Sequence, residues 1–356
     1  MRVLVLFGGR SGEHEVSVLS ARTVVDALDL LGHAVVGVGI TREGRWVKCD
    51  PRAADRVIDG GDPFVLRPTP QARRNVDVVF PVLHGPFGED GALQGLFELA
   101  DLPYVGSGIE GSAIGLDKWV QRRLFADAGL SVVDSLAFAR DAWEQESGRW
   151  TTLVAERLGF PCFTKPAHLG SSVGISRVTR ADALDGAMER AFRHDDIVVV
   201  EAYGGPREIE VGVLDGSPAM VSIPGEVIPA GDFYDYDSKY LTADTQVQIP
   251  AEISDELRKR IVDAAIRAFG VARCEGFARV DFFYDPKTDV LRVNEINTIP
   301  GLTSASMFPK VWEASGVPFH EVVQHLLEHA IGRHERKAKL EAARIAAHDD
   351  EISGRA

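Results

Sequence analysis

The sequence predicts a βα-type module followed by two α+β modules, with a cleft between the last two. Three stretches carry this reading. The chain opens as strand, glycine loop and helix. Near Lys165 a strand runs into a loop of small residues and out into another strand. Near the C-terminus two apolar runs, RVDFF and VLRVNEIN, flank DPKTD, whose Asp, Pro, Lys and Thr suit a turn.

The bulk properties bound what the chain can do. A length of 356 residues suggests two or three domains and a large core. Apolar residues at 45% and charged residues at 26% are ordinary for a soluble protein. A net charge of −14 argues against nucleic acid as the main partner, while leaving room for a local basic pocket. Cys49, Cys162 and Cys274 are far apart and form no CxxC, so neither a disulfide framework nor a zinc site is expected. MRVLVLFGG is too short for a secretory segment, and no run of about 18 uncharged apolar residues occurs. A cytoplasmic protein with no membrane partner is the expectation.

In chain order, RVLVLF (2–7) reads as a buried parallel strand, GGRSGEHEVS as a glycine loop, and Val16–Leu31 as a helix. The loop is not GxGxxG, and no P-loop motif occurs anywhere. Glu15 falls in the helix's first turn, where a carboxylate suits the macrodipole. AVVGVGI (34–40) is a second strand, and residues 41–75 read as a loop-dominated excursion. VDVVFPVLHG (76–85) is a third strand, placing His84 at a strand's C-terminal end, where α/β sheets hold ligands. HGPFGEDG then opens a helix, ALQGLFELA.

A first boundary falls near Leu116, before the helix DKWVQRRLFADAGL. Trp143–Arg149 reads as a polar insertion. FPCFTKP is a strand ending at Lys165, and GSSVG before ISRV is a small-residue loop suited to covering phosphates. A helix (181–193) and the strands DIVVVEAY (196–203) and REIEVGVL (207–214) follow. Residues 226–250 carry Phe233, Tyr234, Tyr236, Lys239 and Tyr240, and read as an Ω-type loop packed near a site. SDELRKRIVDAAIRAFG is an amphipathic helix capped by Ser254. Helices fill 304–333, and the remainder reads as a solvated or frayed tail.

The stretch DFFYDPKTDVLRVNEIN holds the chemistry. Strands joined by a short turn pair antiparallel, and Glu295 and Asn297, two apart, share a face that Asp281 can reach from the neighbouring strand. Two carboxylates and an amide oxygen are a hard-oxygen set suited to Mg²⁺ carrying nucleotide phosphates. The same residues would also suit an ordinary solvated strand pair.

GGRSGEHEVS, LHGPFGEDGALQG, PYVGSG, DKW, KPAHLGSSVG, FYDYDSKY, ARVDFF and NEINTIPGLTSAS, in this order, resemble the D-alanine–D-alanine ligases of the ATP-grasp superfamily over residues 2–330. The resemblance implies the ATP-grasp fold in three domains: a Rossmann-like pre-ATP-grasp domain (1–116), a central lid domain (117–214) and a C-terminal domain with the metal and substrate site (215–333), before a charged tail (334–356). It implies joining of two D-alanines through an acyl phosphate at the expense of ATP, for peptidoglycan, by a cytoplasmic homodimer.

By position, the resemblance implies that Asp281, Glu295 and Asn297 ligate two Mg²⁺ ions, with Mn²⁺ as a substitute. Lys118 and Lys165 would contact phosphates, Glu201 and Glu208 the adenine and ribose side, and Lys239 the γ-phosphate. Glu15, Ser171 and Tyr240 would form a trio over the amino-acid sites, with His84 near the first D-alanine. Arg279 and the Gly301 N–H would stabilise an oxyanion, and Ser306, beside Met307, would anchor the second carboxylate. Ala-Tyr-Gly at 202–204 departs from the lysine and tryptophan some members carry there. A D-lactate or D-serine ligase is the alternative, which FYDYDSKY speaks against for D-lactate. A non-catalytic nucleotide-binding module would show a broken lysine or metal set, and a dinucleotide oxidoreductase a fingerprint absent here.

Overall fold

The structure, a computed structural model, describes residues 1–54, 58–66, 76–228 and 246–353, with side chains through residue 348. Strands β1 (Arg2–Gly8), β2 (Ala34–Ile40), β3 (Trp46–Lys48), β4 (Asp62–Pro63) and β5 (Val78–Val82) form a first sheet in the order β4-β3-β2-β1-β5. β1 runs parallel to β2 and β5. Both faces of β1 are covered, which is why it is a continuous apolar run. Val3, Val5 and Phe7 join one core with α1 (His14–Leu30), while Leu4 and Leu6 join another with Leu93 and Phe97 of α2 (Ala92–Leu99). The excursion after residue 40 is not wholly loop: β3 and β4 add antiparallel to the sheet edge.

Helices α3 (Ile109–Leu116) and α4 (Lys118–Asp127) lead to a second sheet. It comprises β6 (Ser135–Ala139), β7 (Cys162–Pro166), β8 (Ser176–Val178) and β9 (Ile197–Ala202), antiparallel in the order β6-β9-β7-β8. α5 (Arg140–Arg157) and α6 (Leu184–Phe192) pack on it. Trp143 corrects the reading of a polar insertion. It is 4% exposed and meets Phe138 edge-on at 5.2 Å, so the segment is part of a surface helix anchored by Trp143 in the core.

The third sheet is antiparallel throughout. It contains β10 (Arg207–Leu214), β11 (Met220–Val221), β12 (Gly225–Ile228), β13 (Gln246–Gln248), β14 (Phe277–Asp285) and β15 (Val290–Asn297). Its path is β13-β12-β10-β14-β15, with β11 beside β10. α7 (Asp255–Val271) covers one face, capped by Ser254, whose Oγ accepts from the Leu257 N–H at 3.2 Å. α8 (Met307–Ala314) and α9 (Phe319–Ser353) complete the chain, and Phe308 and Trp312 pack on part of the other face. The tail expected to be solvated or frayed is solvated, with residues 335–348 exposed, but it is helix, because its Ala, Glu, Lys and Arg favour helix intrinsically. Arg333 pins α9 by donating to the Tyr104 carbonyl at 2.9 Å and to Glu275 at 3.1 Å.

Candidate active site

Side-chain alternation sorts the third sheet into an apolar and a charged face. Ile209, Val211 and Val213 of β10 and Ala278, Val280 and Phe282 of β14 face α7. The intervening Glu208, Glu210, Arg279 and Asp281 therefore share the other face, and ligand oxygens of Glu208, Glu210 and Asp281 lie within 4.8 Å of one another. On β15 the alternation breaks once. Phe282 pairs with Val293 but Asp281 pairs with Glu295, so Asn294 is the extra residue of a β-bulge. Val293 and Ile296 both reach the apolar core, and Glu295 and Asn297 turn to the charged face beside Asp281.

Arg279 lies at the centre of this face. Its Nε and Nη2 each donate to Asp281 at 2.7 Å, and Nε stands 3.0 Å from Glu210 Oε2. Asn297 Nδ2 donates to Asp281 Oδ2 at 3.0 Å. Burial opposes the charge of Arg279, but Asp281, Glu210 and Glu295 outweigh it and hold the guanidinium firmly protonated. Glu295 Oε2 lies 3.3 Å from Lys118 Nζ. The oxygen-only donor set, with carboxylates outnumbering cations among the described residues, fits a hard divalent ion. Asp281, Glu295 and Asn297 are thus brought together as expected from the sequence.

Lys118 reaches this centre directly, and Lys165 lies over the Phe283 ring of β14, 5.9 Å from its centroid. Lys118 opens α4, capped by Asp117, whose Oδ1 accepts from Trp119 and Val120. Its Nζ donates to the Leu169 carbonyl at 2.6 Å and its N–H to Ala167 at 3.0 Å, tying α4 to the base of the glycine-serine loop. Lys165, the penultimate residue of β7, pairs with Glu201. Glu201 is 2% exposed and also pairs with Arg122 at 2.7 Å. Burial would raise its pKa, but Lys165 and Arg122 prevail and keep it ionised. Its carboxylate therefore holds Lys165 in place. Glu208 stands beside Asp281 and Glu210, at the metal end of the face.

The trio over the amino-acid sites is corrected in one member. Ser171 Oγ donates to Glu13, not Glu15. Glu13 is the N-cap residue of α1 and projects from the helix end, whereas Glu15, about 200° further round the helix, pairs with Arg42 on the far side. A Cβ at Gly170 would stand 3.2 Å from Glu13 Oε2, so glycine lets the loop close on this carboxylate. Ser171 and Ser172 sit at φ 51° and 59°, a sparsely populated backbone region for residues with a Cβ. Tyr240, Lys239 and the rest of residues 229–245 of the expected aromatic loop lie outside the described residues, while the loop's two ends are strands β12 and β13, paired antiparallel.

Beside Glu13 lie His84 and a residue the sequence reading missed, Glu89. His84 Nδ1 bonds the Ile299 carbonyl at 3.0 Å, and Nε2 is buried with no partner among the described residues. Burial lowers its pKa. Glu89 accepts from the Gly85 N–H at 2.7 Å and the Ile299 N–H at 3.0 Å, fastening the His84 loop to the end of β15. Burial first, and the nearby Glu13 second, push its carboxyl up to about 8. The signal was the acidic pair Glu89–Asp90 within the glycine-rich HGPFGEDG, read only as the opening of a helix. Ser306 is the N-cap residue of α8 and its side chain does not cap, so its hydroxyl and the first-turn N–H groups suit an anion. Thr303 Oγ1 lies 2.8 Å from Ser306 Oγ, and Gly301 adjoins it. The Met307 side chain is buried, 6% exposed and packed against Gly225, so what Met307 offers the site is its backbone N–H in the first turn of α8.

Family models match two stretches of the chain: "D-ala D-ala ligase N-terminus" over residues 2–107 and "D-ala D-ala ligase C-terminus" over residues 124–328. A D-alanine–D-alanine ligase of Heliobacterium modesticaldum is 43% identical over 359 residues, covering 96% of this chain and 98% of that protein. Among solved structures, the D-alanine-D-alanine ligase from Coxiella burnetii aligns with a TM-score of 0.84 at 35% identity, covering 98% of this chain and 99% of that one. The VanG D-Ala:D-Ser ligase from Enterococcus faecalis aligns at 0.81 and 34% identity, over 92% of this chain and 99% of that one.

Proposed function

Because the chain belongs to the D-alanine–D-alanine ligase family, we infer that it joins two D-alanine molecules to D-alanyl-D-alanine at the expense of ATP. The observation that carries the reading is the charged face of the third sheet, where Asp281 and Glu295 stand opposite each other beside Arg279 and Lys118. The product is a building block for peptidoglycan. Membership of the family is the support for proposing a homodimer that works in the cytoplasm. Among the described residues no helix is long and apolar enough to cross a membrane.

A free carboxylate resists attack by an amine, so activation must come first. An oxygen of the first D-alanine's carboxylate attacks the γ-phosphorus of ATP, ADP leaves, and an acyl phosphate forms. Such a transfer needs positioning and charge neutralisation. Lys118 and Lys165, each fixed by an ion pair, supply both. Asp281, Glu295 and Asn297 would hold Mg²⁺ or Mn²⁺, two ions in all, which would neutralise phosphate charge. Glu13, reached by Ser171, holds the first ammonium group, with His84 beside it.

The amine of the second D-alanine then attacks the acyl carbon. Arg279 and the Gly301 N–H stabilise the oxyanion, the bond from the acyl carbon to the phosphate oxygen breaks, and the departing phosphate takes up the proton shed by the amine. Ser306 and the N-terminus of α8 hold the second carboxylate. The glycine-serine loop excludes water, which would otherwise hydrolyse the acyl phosphate. The test is phosphate release from ATP and Mg²⁺ with D-alanine, L-alanine, D-lactate or D-serine. Release with D-alanine alone supports the reading, release with none of the four contradicts it, and faster release when D-serine joins D-alanine favours the alternative second substrate.

A further inference from the structure

The buried carboxylate of Glu210 has no part in the mechanism above. It stands directly across the ladder from Asp281, with the Arg279 guanidinium between them. We propose that Glu210 is a positioning residue that takes over Arg279 when a divalent cation occupies Asp281. The inference rests on the metal role of Asp281, Glu295 and Asn297 given above.

The geometry makes an exchange necessary. Arg279 covers both Asp281 oxygens at 2.7 Å, and Asn297 Nδ2 takes a further lone pair on Oδ2 at 3.0 Å. A carboxylate has about four acceptor directions. Asp281 so engaged has little left for a metal ion, and a divalent charge beside it repels the guanidinium. Arg279 cannot retreat to water, because it is 17% exposed at its side chain and lies between strands. The carboxylate within reach is Glu210, already 3.0 Å from Nε and only 5% exposed at its side chain. Passing Arg279 from Asp281 to Glu210 keeps the guanidinium charge paired and leaves it on the same face as the reaction. One exchange thus couples cation loading to the placement of the oxyanion stabiliser. Without Glu210, a cation that reaches Asp281 leaves the guanidinium without its second adjacent carboxylate, which is costly.

The experiment is a Mn²⁺ titration of the full chain, with saturating ADP throughout and the free ion followed by electron paramagnetic resonance. Glu210→Gln is expected to raise the Mn²⁺ dissociation constant about tenfold, the size of one hydrogen bond to a charged group. Glu210→Asp is expected to restore most of that loss. In an Arg279→Gln background, which has no guanidinium to accommodate, Glu210→Gln is expected to change Mn²⁺ affinity by less than about twofold. An undiminished loss in that background would mean that Glu210 ligates the ion itself and would overturn the proposal. So would unchanged affinity in Glu210→Gln with a lowered melting temperature, which marks a purely structural role. Failure of the unmutated chain to bind Mn²⁺ with ADP would instead overturn the metal reading on which the inference stands.

Discussion

Asp281 faces Glu295 across β14 and β15 because Asn294 is looped out between Val293 and Glu295. In a regular ladder Asp281 would oppose Asn294, and Glu295 would point with Val293 into the core beneath α7. The bulge is thus what lets this strand carry Asn294 and still present Glu295 on the charged face. Deleting Asn294 is expected to make the ladder regular, with Val293 and Ile296 still inward and Glu295 still opposite Asp281, so Mg²⁺-dependent phosphate release should persist. Loss of release in a variant that keeps its circular dichroism would contradict this account of the bulge.

Glu295→Gln keeps the shape and removes the charge. We expect turnover to fall at least about a hundredfold, with circular dichroism unchanged and the melting temperature within a few degrees of the parent. Equal turnover would remove Glu295 from the metal set.

Glu13 and Glu15 lie two residues apart and should behave differently. Glu13→Gln loses the negative charge facing Ser171 and is expected to lower kcat/KM for D-alanine about ten- to a hundredfold. Glu15→Gln breaks only a half-exposed pair with Arg42 and should stay within about twofold of the parent. Steady-state kinetics with D-alanine varied decides between them, and the reverse ranking would restore Glu15 to the site.

These contrasts show what was legible in the chain. The antiparallel strand pair, the Ser254 cap and Lys165 at a strand end were legible, because each depends on local turn, capping or alternation chemistry. Glu13 was missed because helix phase within GGRSGEHEVS depends on where α1 begins, and that is set by the loop's packing. Trp143 was hidden by polar neighbours, since its burial comes from Phe138 on another element. Met307 follows Ser306 but rotates inward with the first turn of α8. The bulge did leave a trace: Val293 and Ile296 are three apart, where a regular strand would place its apolar residues two or four apart.

His168 makes stability depend on alkaline pH. Its Nδ1 lies 3.0 Å from Asp195 and its Nε2 3.3 Å from Asp117, the cap of α4. Hydrogen bonds to Asp117 and then Asp195 raise its pKa from 6.5 to about 10. The folded state therefore holds the proton more tightly than the unfolded chain, and the contribution is complete below 6.5 and lost as pH rises through 10. His168→Gln is expected to lower the melting temperature by a few degrees near neutrality, and the gap should close above pH 10. A gap that stays constant across this range would show that the charge of His168 contributes nothing.

The most direct measurement is anomalous scattering from a crystal grown with ADP and Mn²⁺. The account predicts manganese bound by Asp281, Glu295 and Asn297 and in contact with the nucleotide phosphates. Manganese ligated elsewhere, with those three side chains still bound only to Arg279, Lys118 and one another, would contradict it.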